Sequence, residues 1–178
     1  GTPLVCGGYV FATLHRADVR EPSRLSAALA ALQGAAEVLG VPVLFAAHPG
    51  TSAAIAAHGI DVPDGVELVT PVGYLDSLTL AAQAAAVLTD SGGLQREAAW
   101  LGTPTLILRT TTEWPELLHP AGPSLLIGVD ADRVADALAT LGAVTGAAAV
   151  DARTSRPLPA GGAAEAIRAA LIARRFAR

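Results

Sequence analysis

Thr89-Asp90-Ser91-Gly92-Gly93-Leu94-Gln95-Arg96-Glu97 carries the clearest structural signal in this 178-residue chain. The apolar run at residues 84–88 has the length of a buried strand, and Leu94, Ala98 and Leu101 recur at helical spacing. The order is strand, glycine turn, helix. Paired glycines let the backbone pass close to a ligand, and the free N–H groups of a helix's first turn favour an anion, typically phosphate. With successive residues about 100° apart, Glu97 falls about 60° from Leu94, at the edge of the buried stripe, while Arg96 points away from it. A carboxylate there needs donors, and ribose hydroxyls supply them. An ordinary N-cap at Asp90 or Ser91 has the same composition, so the rest of the chain must decide.

Outward from this turn, strand-like and helix-like segments alternate. Residues 4–13 read as a first strand, ending at Leu14-His15-Arg16. Pro22 then stands at a first helical position, and Leu25, Leu29, Leu32, Ala36 and Leu39 form a stripe that stops at Gly40. A second strand is expected at residues 43–47, ending at His48-Pro49-Gly50, and a short helix at 51–58. Residues 66–69 read as a third strand, and 74–82 carry helical spacing through Leu75, Leu78 and Ala82. Past the glycine turn, residues 105–108 form a strand ending at Arg109, followed by the loop Thr110-Thr111-Thr112-Glu113-Trp114-Pro115-Glu116 and a short helix. A last strand is expected at 125–129, with Asp130 capping a helix that carries Val134, Leu138 and Leu141.

The expected division is a domain at residues 1–144, an irregular Gly/Ala/Pro-rich linker at 145–162, and a C-terminal helical segment at 163–178. That segment packs on the same domain or reaches towards another. The chain does not begin with Met and enters a strand almost at once, so Gly1 reads as a cut within a longer protein.

Such alternation implies right-handed crossovers and an α/β fold, a doubly wound, Rossmann-like parallel sheet covered on both faces. Composition agrees. Hydrophobic residues make up 52% and aromatics only 4%, so the interior is built from Ala, Leu and Val, which suits helices packed closely on a parallel sheet. In these sheets ligands bind beyond the carboxyl ends of the strands. His15, His48, Asp90-Ser91-Gly92-Gly93, and Arg109 with Glu113 all fall just past such an end. They are expected to converge on one rim.

Each candidate also has a plain structural reading. His15 can meet a phosphate or donate a proton near neutral pH, or it can be satisfied by a neighbouring carbonyl. His48-Pro49-Gly50 can simply close a turn. Arg109 is an anion contact or one half of a clamp with Glu113 or Glu116. His58 and His119 occupy surface-type positions and receive no role. No spacing has the form of a metal site, and no G-x-G-x-x-G opens a helix, which disfavours a nicotinamide cofactor. The net charge of −4 argues against a nucleic-acid partner. The lone Cys6, placed in the first strand, rules out an internal disulfide framework, and no apolar run reaches the roughly 18–20 residues of a membrane span. Cytoplasmic residence is the default.

Taken together, Thr13-Leu14-His15-Arg16, His48-Pro49, Pro71 with Gly73-Tyr74-Leu75, Thr89 to Ala98, Gly102-Thr103-Pro104 and Thr112-Glu113-Trp114-Pro115-Glu116 resemble, in order, the C-terminal half of non-hydrolysing UDP-N-acetylglucosamine 2-epimerases. The likeness runs from about residue 5 to 141 and is weaker in the final helix. It implies one half of a GT-B fold, in which two Rossmann-like halves close on a UDP-sugar. It implies inversion at sugar C2 without an external cofactor, by loss of the C2 proton, departure of UDP to a glycal, and re-addition of UDP. Carried over by matching position, Ser91, Gly92 and Gly93 hold the diphosphate and Glu97 the ribose. His15 is the candidate catalytic residue, near the departing oxygen, and Arg109 and Glu113 join the substrate-binding set. UDP or a UDP-N-acetyl-sugar is the implied ligand and a separate N-terminal half the implied partner; a homodimer stays open.

The chain departs from the family pattern in three places. Trp114 stands where many members have Arg, as in relatives acting on diacetamido-uronic acid sugars. Ala17-Asp18-Val19 replaces a more polar loop. Val72 and Ser77 replace residues that are often Gln and Phe near the uracil. The family's acidic residues at C2 belong to the N-terminal half, so this chain alone is expected to be inactive. The donor-binding half of a GT-B glycosyltransferase and a non-catalytic UDP-sugar-binding module are the competing readings.

Overall fold

A computed structural model describes residues 4–118 and 123–143. The expected linker, the C-terminal segment and His119 lie outside the described residues. Six strands, all parallel, form one sheet: β1 (Val10–Thr13), β2 (Val43–Ala46), β3 (Val66–Val69), β4 (Ala86–Thr89), β5 (Thr105–Ile107) and β6 (Ser124–Leu126), in the order β3-β2-β1-β4-β5-β6. The helices are α1 (Pro22–Leu39), α2 (Pro49–His58), α3 (Tyr74–Gln83), α4 (Gly92–Trp100) and α5 (Val134–Thr140). The expected doubly wound α/β architecture is the observed one. The strand order reverses between β1 and β4, the switch point at whose carboxyl ends such sheets bind ligands.

Alternation along the strands feeds two cores. Val10, Ala12 and Leu14 of the β1 segment face Leu25, Leu29 and Leu32 of α1, together with Val134 and Leu138 of α5. Tyr9 and Phe11 face the other way, onto Ala81 of α3 and Leu94 and Ala98 of α4. Fully burying each leucine of the α1 stripe contributes roughly 1.5–3 kcal/mol, which sets the helix on the sheet. Alanines at the contacts let helix and sheet approach closely. Helix α1 begins with Pro22 at its first position, is capped by the Glu21 carboxylate, and ends at Gly40 with φ 63°, a left-handed residue that suits glycine.

Several segments are shorter than expected. Residues 4–9 are not strand: Gly7 takes φ 70° and donates its N–H to the Gln83 carbonyl at 2.7 Å, and the Gly8 N–H turns back to Val5 at 2.9 Å. Cys6 therefore lies in a turn rather than in a strand. A 3-10 turn at Ala17–Arg20 precedes α1, and α2 starts two residues earlier than expected, at Pro49. The sheet's last strand covers Ser124–Leu126 rather than 125–129. No helix among the described residues is long and apolar enough to cross a membrane.

Candidate functional site

The carboxyl ends of β1 and β4 are fastened to each other. Thr13 and Thr89 share a hydroxyl hydrogen bond at 2.7 Å across the strand pair. Just beyond, the fully buried Asp90 carboxylate accepts the backbone N–H of His15 at 2.9 and 3.1 Å and that of Arg16 at 2.9 Å. Asp90 is therefore a cross-strand brace, not a helix cap.

Ser91 is the N-cap of α4, its hydroxyl accepting the Leu94 N–H at 3.4 Å. The N–H groups of Gly92 and Gly93 have no acceptor among the described residues. Both glycines have ordinary φ, and a Cβ on either would meet nothing closer than 3.5 Å. The backbone conformation does not require glycine here, and the glycines leave the amides uncovered by side chains. This is the geometry of an anion site at a helix start.

His15 stands at the same rim. Its ring lies 5.9 Å from that of His48, edge-on at 64°. Arg20 donates to the His15 carbonyl at 3.2 Å and to Nδ1 of His48 at 3.3 Å. Nδ1 of His48 also accepts the Gly50 N–H at 3.1 Å, so His48 caps α2. The His15 imidazole is shifted below its ordinary value, chiefly by loss of hydration, then by Arg20 and His48 against the opposing pull of Asp90. Its neutral form is thereby favoured.

Arg109, at the end of β5, holds Glu113 in a two-pronged ion pair at 2.6 and 2.9 Å, and Arg16 reaches the same carboxylate at 3.1 Å. The clamp forms with Glu113, not Glu116. The hydrogen bonds from Arg109 depress the Glu113 carboxyl to about 2. A Cβ on Gly92 would lie 3.5 Å from Oε2 of Glu113 and 3.6 Å from Nε1 of Trp114, so both side chains sit beside the first turn of α4. Gln95, fully buried, fixes this loop by accepting the Thr112 hydroxyl at 2.7 Å, and that hydroxyl accepts the Trp114 N–H at 3.1 Å.

Glu97 lies one turn further along α4, half-buried and facing α3. Its charge, more than partial burial or side-chain hydrogen bonding, raises the Tyr74 ionisation. A cavity of about 480 Å³ opens there between α3 and α4, bounded by Tyr74, Leu78, Gly93, Arg96, Glu97, Trp100 and Leu101. The structure thus gathers His15, Ser91, Gly92, Gly93, Arg109 and Glu113 on one rim and places Glu97 beside it. Sequence reasoning missed the bracing role of Asp90 and the stacking of Arg96, whose guanidinium lies 4.2 Å over the Trp114 ring. A charged residue directly at the end of an apolar strand was the available signal for Asp90. No group of residues suited to hold a metal ion occurs among the described residues.

The sheet order and the open amides of α4 beside the switch point define a Rossmann-type domain with the geometry that suits an anion. Sequence comparison sharpens that class: a family model described as UDP-N-acetylglucosamine 2-epimerase matches residues 5–172, and the chain belongs to that family. The UDP-2,3-diacetamido-2,3-dideoxy-D-glucuronate 2-epimerase of Pseudomonas aeruginosa is 37% identical over 134 residues, covering 75% of this chain and 37% of that protein. The UDP-N-acetylglucosamine 2-epimerase of Methanocaldococcus jannaschii is 32% identical over 135 residues, 73% of this chain and 37% of its own length. A crystal structure of the M. jannaschii UDP-GlcNAc 2-epimerase with UDP-GlcNAc and UDP superposes with TM-score 0.70 at 28% identity, over 92% of this chain and 45% of that one. Spinosyn rhamnosyltransferase shares the fold alone, with TM-score 0.54 at 23% identity. The chain spans well under half the length of these curated relatives.

Proposed function

We infer that this domain is the UDP-binding, C-terminal half of a UDP-N-acetylglucosamine 2-epimerase-like enzyme. The observation that carries the reading is the pair of unpartnered amides at Gly92 and Gly93, set at the switch point beside His15. Gly92, Gly93 and Ser91 hold the diphosphate, and Glu97 exchanges its Tyr74 contact for ribose hydroxyls. As UDP leaves the sugar, negative charge builds on the departing oxygen. Fixed N–H donors then stabilise it more than they stabilise the bound sugar, and His15 donates a hydrogen bond or a proton. Arg109 and Arg16, already gripping Glu113, add positive potential on the same side.

Inversion at C2 also needs groups on the opposite face of the sugar. Glu113 is tied to two arginines and Asp90 to two backbone amides, so neither is free to take the C2 proton. The reading therefore assigns that step to an N-terminal half and leaves the isolated chain inactive. Calorimetric titration with UDP tests the binding role. C2 deuterium exchange in UDP-N-acetylglucosamine tests the division of labour: exchange is expected only when an N-terminal half is added, and turnover by the isolated chain overturns it.

A further inference from the structure

The His15 peptide is held from both sides. Its N–H points to the Asp90 carboxylate beyond β4, and its carbonyl accepts from Nη2 of Arg20 at 3.2 Å. The same nitrogen donates to Nδ1 of His48 at 3.3 Å, a ring atom that also accepts the Gly50 N–H. With Nδ1 taken by donors, the neutral His48 ring carries its proton on Nε2. One residue before His15, the Leu14 carbonyl accepts the Thr51 hydroxyl at 3.0 Å. The segment after β1 is thus tied to the β4 side through its amides and to the α2 side through its carbonyls.

Two features set Arg20 apart from an ordinary surface arginine. No carboxylate pairs with it among the described residues, and its Nε is buried without a hydrogen-bond partner, a cost that solubility does not explain. Its guanidinium also lies against the backbone of Gly50, where a Cβ would stand 2.6 Å from Cζ and 2.7 Å from Nη1. Gly50 has no left-handed φ, so what glycine supplies there is room for the guanidinium.

We propose that Arg20, resting on Gly50, is the positioning residue for His15: it fixes the carbonyl side of the His15 peptide as Asp90 fixes the amide side, and so presents the imidazole to the diphosphate. The proposal rests on the functional reading above, which sets a diphosphate on the α4 amides beside His15. The groups whose charge the His15 ring feels are Asp90 beyond β4, His48 before α2 and Arg20 itself. Arg20 opposes protonation of that ring, so removing it eases uptake of the proton while releasing the loop.

The test uses two variants that reach Arg20 by different routes. Arg20→Met removes the guanidinium, and Gly50→Ala keeps it but fills its resting place with a methyl group at a helical position where alanine is favoured. Proton NMR of the His15 ring in the free domain is expected to show its titration midpoint raised in both. Calorimetry is expected to show UDP affinity lowered about tenfold in both, with UMP, which lacks the second phosphate, bound as by wild type. In the double variant His15→Ala with Arg20→Met, UDP affinity is expected to fall no further than in His15→Ala alone, because Arg20 acts through His15. Melting curves establish that each variant is folded. An unmoved His15 midpoint, wild-type UDP affinity in Arg20→Met or Gly50→Ala, or losses that multiply in the double variant overturn the proposal and leave the UDP-binding reading standing. A wild type that does not bind UDP overturns both.

Discussion

The Asp90 carboxylate receives the His15 backbone N–H through both of its oxygens, at 2.9 and 3.1 Å, so the loop after β1 is hung on the turn after β4. Two residues 75 positions apart in sequence are thereby fixed at one end of the sheet. Asp90→Ala leaves the His15 and Arg16 amides without their acceptor in a partly buried setting. A loss of about 2–4 kcal/mol in urea unfolding is expected, with UDP affinity falling as the His15 loop loosens. Asp90→Asn keeps one acceptor oxygen and is expected to lose less.

Gly92 separates binding from folding. A Cβ there meets Glu113 and Trp114 only at ordinary contact distances, and φ is not left-handed. Gly92→Ala is therefore expected to match or exceed wild-type stability, by up to about 1 kcal/mol through reduced freedom of the unfolded chain. The added methyl nonetheless intrudes on the approach to the amides. A sharp loss of UDP affinity at unchanged melting temperature is the expected signature; equal UDP binding would remove these amides from the site.

Glu97→Ala tests the ribose contact. A hydrogen bond to a charged group is worth roughly 1–3 kcal/mol, and UDP affinity is expected to fall by that amount. Uridine should lose affinity in parallel while pyrophosphate is unaffected. Calorimetry with all three ligands distinguishes a nucleoside contact from a general disturbance.

The pH dependence of binding isolates His15. Its imidazole is depressed by lost hydration and by Arg20 and His48, so its neutral form is favoured in the free domain. A bound diphosphate favours the protonated form and pulls a proton in. UDP affinity is expected to rise as pH falls from about 8 to about 6, beyond the change seen with His15→Gln, which subtracts the titration of the phosphate itself. Identical pH profiles for the two proteins would place His15 away from the diphosphate.

Glu113 governs acid stability in the opposite sense. Its carboxyl titrates at about 2 in the folded domain against an ordinary 4.5, so the ionised form stabilises the fold. That contribution is complete above 4.5 and is lost as pH falls through about 2. The stability gap between wild type and Glu113→Gln is expected to stay level at neutral pH and to narrow across this acidic interval, as followed by circular dichroism. Salt should reduce it, since Glu113 is 51% exposed.

Much of this was legible in the chain itself. Alternating segments with Pro22 at a helix start and Gly40 past its end define α1 to the residue, because capping chemistry is local. The rim followed from a topological rule, and Ser91 with its glycines needed only the order of strand, turn and helix. Less local features escaped. The first strand was drawn too long because Val5 and Tyr9 suit a strand, while the left-handed turn at Gly7 depends on a carbonyl from Gln83. Asp90 reads as a cap in sequence, yet its partners lie on another strand. Arg96 does point away from the buried stripe, but the ring it rests on comes from a loop beyond the next strand, which no helical wheel reveals.

Strand β1 is only four residues long, and its neighbours are contributed by Val43 to Phe45 on one side and Ala86 to Thr89 on the other. No short fragment of the chain can therefore assemble this rim, since its two sides arrive from distant stretches that must first be threaded side by side. On the proposed reading, UDP binding is linked to this whole topology, and saturating UDP should raise the melting temperature of every element of the sheet together.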